Sequence, residues 1–119
     1  MTKFSDAAWK DMHPAIWYAR GEARVLVREM FEEDLVVNFG RGAQRPGGSS
    51  KHARGAAMDL RSREWGTASQ RQFAQELQDR LGEDFDVIVE GPASLDPRYQ
   101  HRTAHIHVEY DPKGRHRDG

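Results

Sequence analysis

The stretch Ala104-His105-Ile106-His107-Val108-Glu109-Tyr110 alternates polar and apolar side chains without a break. Side chains two apart on a strand point to the same side, so the pattern predicts a strand with Ile106, Val108 and Tyr110 turned to a core. His105 and His107 face the other way, with Glu109 on their side. Two imidazoles on the open side of a sheet are candidate metal ligands, although a half-exposed strand face would show the same alternation.

A second stretch answers the first. In Ser50-Lys51-His52-Ala53-Arg54-Gly55-Ala56-Ala57-Met58-Asp59, the run from Gly55 to Leu60 is short and apolar enough for a buried strand, and Asp59 is its anomaly. A buried carboxylate needs a partner, and a metal ion is a good one. Together His52, Asp59 and the late His pair can supply the two imidazoles and one carboxylate with which catalytic zinc sites keep a fourth position open for water. His52 and Asp59 are an odd number of positions apart, which a straight strand would place on opposite faces. A bend near Gly55, or His52 lying in the loop before the strand, is required if both bind one ion.

Outward from these stretches the elements follow in order. From Pro14 to Phe31 the residues Ile16, Ala19, Ala23, Leu26, Val27, Met30 and Phe31 recur at three and four, which predicts an amphipathic helix with Pro14 in its first turn. Leu35 to Phe39 reads as a short strand, and Gly40 to Ser50, with four glycines, reads as a loop. Thr67-Ala68-Ser69-Gln70 has capping-box spacing, Phe73, Leu77 and Leu81 mark one helical face, and Gly82 suits the position just past the end. Phe85 to Glu90 reads as a strand, Gly91 to Arg102 as a long irregular loop, and the residues from about 112 onward as a polar tail. The order α-β-β-α-β-β predicts an α+β domain, with helices on one face of a small, largely antiparallel sheet and the other face free to carry a site.

Bulk properties narrow the classes. A chain of 119 residues is expected to form one domain. Its 18 Lys and Arg against 19 Asp and Glu leave a net charge of -1, so no global field draws it to nucleic acid or to a membrane surface. The basic tail Lys113, Arg115, His116, Arg117 reads as a solvated terminus rather than a nucleic-acid arm. With no cysteine, any metal must sit on His, Asp or Glu. No signal-peptide h-region and no membrane-length apolar run are present, so synthesis in the cytoplasm is expected, with action at the cell wall following lysis or delivery in a particle.

The residues Ser50, His52, Gly55, Ala57 and Asp59, followed by His105 and His107, resemble the motifs of the zinc D-Ala-D-Ala peptidase superfamily. That group includes carboxypeptidases, dipeptidases, phage endolysins that cut peptidoglycan stem peptides, and the Hedgehog signalling domain. The resemblance runs from about Pro14 to Pro112, with only the two motifs specific. It implies a Hedgehog/DD-peptidase-like fold and zinc on His52, Asp59 and His107. His105 is then expected beside the metal, where it would hydrogen-bond a developing oxyanion. The superfamily places a catalytic Glu after a strand shortly before the His pair, and Glu90 ends such a strand here. The chain departs from the pattern in that residues 91–104 separate Glu90 from His105, and His101 competes for the general-base role. An Arg before the first motif is expected to hold a substrate carboxylate or carbonyl. Arg41, with Arg45 behind it, stands at that place.

The implied activity is zinc-dependent hydrolysis of stem-peptide amide bonds, as an endopeptidase of the endolysin kind in preference to a D,D- or L,D-carboxypeptidase, phage-derived and acting as a monomer. Two rivals belong to other classes: a zinc-bearing binding module without catalysis, and a mononuclear iron or cupin-like site built on His105 and His107.

Overall fold

The computed structural model describes residues 12–39 and 55–112. Helix α1 spans Pro14–Phe31, strand β1 Val37–Phe39, strand β2 Ala57–Arg61, helix α2 Thr67–Leu81, strand β3 Phe85–Glu90 and strand β4 His105–Tyr110. The predicted α+β order holds along the described chain. The four strands form one antiparallel sheet in the order β1-β2-β4-β3, so the late strand β4 lies between β2 and β3.

Local chemistry sets the helix ends. His13 caps α1 by accepting the Ala15 N–H at Nδ1 (3.0 Å), and Pro14 takes a position whose missing N–H costs nothing. Gly82 closes α2 with φ +89°, its N–H returning to the Gln78 carbonyl. The capping box at Thr67 is not formed: Gly66 is the N-cap and contributes no side chain. Gln70 is buried, and its amide is satisfied inside the preceding turn, by the Trp65 carbonyl (2.9 Å) and the Ser62 hydroxyl (3.0 Å). Burial decided that competition, because an amide with no access to water needs near partners.

Alternation divides the sheet into two faces. Met58 and Leu60 of β2, Phe85 of β3, and Ile106 and Val108 of β4 enter one core with Ile16, Leu26 and Val27 of α1 and Phe73 and Leu77 of α2. Phe31, Trp65 and Phe73 close one end of it with ring centroids 4.3 to 6.3 Å apart. Both helices therefore cover one face. The opposite face carries Asp59, Glu90, His105, His107 and Glu109, and cross-strand register sets them in rows. Arg61, His105 and Glu90 form one row, Asp59, His107 and Ile88 the next, and Ala57, Glu109 and Asp86 the third.

Candidate metal centre and active site

Asp59 is in the middle of β2 and only 3 % exposed, directly opposite His107 on β4. Its Oδ1 lies 3.0 Å from His107 Nδ1, while Glu109 Oε1 lies 2.8 Å from His107 Nε2. Both ring nitrogens thus face carboxylates. Burial of the imidazole, the largest single influence, opposes its protonation, but the hydrogen bonds to Asp59 and Glu109 together outweigh it. His107 is held above its ordinary pKa of 6.5.

His105 stands one row away. Its Nδ1 lies 2.8 Å from the Thr103 carbonyl, which can only accept, so that nitrogen carries a proton. Its Nε2 points between two carboxylates, 3.3 Å from Glu90 Oε1 and 3.6 Å from Asp59 Oδ1. With Nδ1 already donating, His105 can donate from Nε2 only as the imidazolium. The oxyanion role expected for it therefore requires a doubly protonated ring.

Glu90 is 4 % exposed and directly opposite His105 in the β3–β4 pair. The long loop does not displace it. Residues 91–104 leave the hairpin and return to it, held at their base by Gly91 N–H to the Tyr99 carbonyl (2.9 Å) and along their length by Gln100 Nε2 to the Ser94 carbonyl (3.0 Å). Gly91 adopts φ +100°, and a Cβ there would stand 2.6 Å from Ala104 Cα, so the two loop ends meet where only glycine fits. The loop returns Arg102 to the site: its guanidinium is 2.7 Å from Glu90 Oε1 and packs over the Tyr99 ring at 5.0 Å.

These side chains line a cavity of about 460 Å³ formed by Asp59, Ile88, Glu90, Tyr99, Arg102, His105, His107 and Glu109. Four of the candidates named from sequence, Asp59, Glu90, His105 and His107, are brought together in it. His101 is not: it is exposed on the loop and does not line the cavity. His52, Arg41 and Arg45 lie outside the described residues, as does the loop that carries them. Gly55, just before β2, adopts φ +73°. Sequence reasoning passed over Arg102 and Tyr99. The available signal was topological, since a loop whose two ends are site residues must form part of the site's wall.

Asp59 and His107 are of residue types that ligate zinc, and their spacing is compatible with two zinc ligands. Tetrahedral ligands about 2.0–2.1 Å from zinc stand about 3.3 Å from one another, and Asp59 Oδ1 and His107 Nδ1 are 3.0 Å apart. Glu109 on the far nitrogen would fix the orientation of a metal-bound His107 ring, as carboxylates do behind metal-bound histidines. His105 and His107 do not converge with Asp59 on one point. Among the described residues, the group of three potential ligands whose atoms lie within 4.8 Å of one another is Asp86, Glu109 and Asp111, an acidic cluster at the end of the same face.

No family model, curated protein or solved structure matches this chain, so the superfamily resemblance stands on the two motifs themselves. Among the described residues no helix is long and apolar enough to cross a membrane.

Proposed function

We propose that this chain is a zinc-dependent peptidase of the Hedgehog/DD-peptidase type, hydrolysing amide bonds of peptidoglycan stem peptides. The observation that carries the reading is the convergence of Glu90 and His105, 3.3 Å apart, beside the Asp59–His107 pair in one cavity. Asp59 and His107 would hold the ion together with His52. A zinc ion there would supply Lewis acidity toward the scissile carbonyl and acidify the attacking water.

The chain's own residues account for the rest. The Glu90 carboxylate accepts the water proton and passes it to the leaving amine. Arg102, bonded to Glu90 Oε1, holds the carboxylate in the cavity. His105, as imidazolium, donates from Nε2 to the oxygen that gains charge, and Thr103 holds its ring in place. Asp59 lies within reach of both imidazoles and couples the two rows. Tyr99 and Ile88 wall the cavity. The choice of stem peptide as substrate follows from the motif resemblance.

The Arg102–Glu90 ion pair also favours a second reading, in which the carboxylate is permanently engaged and the chain is a zinc-bearing binding module without turnover. Assay of purified protein on peptidoglycan and soluble stem peptides, with zinc added and after chelation, separates the two. Release of new amine groups that requires zinc is expected. A zinc-loaded protein that binds peptidoglycan and releases none would sink the peptidase.

A further inference from the structure

We propose that the free edge of β3 is a substrate subsite, which binds an extended peptide main chain as an added strand; this rests on the peptidase reading. Among the described residues β3 is an edge strand, with β4 on one side only. Alternate residues of an antiparallel strand turn their N–H and C=O to opposite edges. Gln78 of α2 shows which residues point outward, since its amide donates to the Phe85 carbonyl (2.7 Å) and accepts from the Val87 N–H (2.9 Å). On the inner edge, Asp84 accepts from the Asp111 N–H. The odd-numbered residues of β3 therefore face outward.

The protein imitates a neighbouring strand at both ends of this edge and leaves a gap in the middle. Gln78 occupies one end, and at the other the Gly91 N–H is taken by the Tyr99 carbonyl. Between them lie the Val87 C=O and the Val89 N–H, an acceptor and a donor that meet no partner among the described residues. They are the pair that one residue of an incoming strand would satisfy with two hydrogen bonds.

This gap opens into a groove of about 560 Å³ between β3, α2 and the 91–104 loop. The groove adjoins the candidate active site, since Ile88 and Tyr99 line both. A peptide whose scissile bond lies beside Glu90 and His105 can thus continue past Ile88 along Val87 and Val89. Charge narrows the occupant: Arg98 is paired with Asp96, whereas Arg71, anchored through Nε to the Ala93 carbonyl, adds a positive charge to the wall. The subsite fits a peptide carrying a carboxylate two or more residues from the cut.

The test uses zinc-loaded Glu90→Gln protein, so that the probe is not consumed, titrated with a soluble stem pentapeptide and with its C-terminal dipeptide. The pentapeptide is expected to shift the Val89 amide resonance and the dipeptide to leave it unmoved. Val89→Pro removes the donor at an edge position that tolerates proline, and Arg71→Glu reverses the wall charge. Each should weaken pentapeptide binding at least tenfold and leave dipeptide binding unchanged. Should Val89→Pro not fold, backbone N-methylation of the pentapeptide removes the matching donor from the ligand side and should weaken binding to the same extent. An unmoved Val89 amide, absent binding, or equal affinity after these changes would overturn the subsite. Turnover by the wild-type protein is scored separately. Cleavage with Val89 unmoved keeps the peptidase and rejects the groove, whereas a Val89 shift without any cleavage keeps the groove and rejects the peptidase.

Discussion

Glu90 and His105 are direct cross-strand partners at the loop end of the β3–β4 hairpin, with Oε1 and Nε2 3.3 Å apart, although residues 91–104 lie between them in the chain. The insertion is accommodated as an excursion from the hairpin rather than as a displacement of its ends. Proximity of these two groups is thus a property of strand register, and the loop adds Arg102 and Tyr99 to the same cavity.

Replacement of Glu90 by Gln keeps the shape of the side chain and removes its ability to accept and hand on a proton. A fall in kcat of about 10²–10⁴-fold on stem peptides is expected, with zinc content unchanged by metal analysis. Retained turnover would remove Glu90 from the chemistry.

Glu109 touches His107 at Nε2 and leaves Nδ1 to face Asp59. Glu109→Ala should therefore lower zinc affinity by about 10–100-fold without unfolding the domain, as loss of a carboxylate behind a metal-bound histidine does. Calorimetric titration of zinc into the chelated protein measures this, and an unchanged affinity would show that the ring needs no such support.

In chelated protein the His107 ring should titrate above 6.5, because its bonds to Asp59 and Glu109 outweigh the effect of burial. A pKa raised on folding contributes stability that is fully present below the unfolded value and is lost as pH rises through the folded one. Zinc acts in the opposite sense, since it competes with the proton for Nδ1 and its affinity should fall as the solution is acidified. Ring-proton NMR titrations of the chelated wild type and of Asp59→Asn check both the value and its cause. A titration at or below 6.5 in the wild type would contradict the arrangement.

At Gly91, φ +100° combines with a backbone contact that a Cβ would bring to 2.6 Å. Gly91→Ala should cost about 1–3 kcal/mol in urea denaturation, and it should disturb the loop that holds Arg102 against Glu90. A melt superimposable on that of the wild type would show that the loop ends can part without penalty.

Much of the fold was legible because it rests on periodicity. The 3.6-residue recurrence from Ile16 to Phe31 and the strict alternation from His105 to Tyr110 state which side of each element is buried, and burial of apolar area is the dominant local demand. Gly82 was equally readable, since a left-handed helix stop favours one residue type. The Thr67 capping box was not, because the partners that drew Gln70 inward become its neighbours only once the Ser62–Trp65 turn is packed.

The sequence by itself determined the two helices, the alternating strands and the candidate ligands Asp59 and His107, because these depend on residue type and short spacing. Tertiary structure alone decided three things. It put Glu90 opposite His105, brought Arg102 of the loop, and not His101, into the cavity, and left the Val87–Val89 edge facing a groove. Each depends on strand order and register, which are set when separate strands bury a common face and are written in no single stretch of the chain.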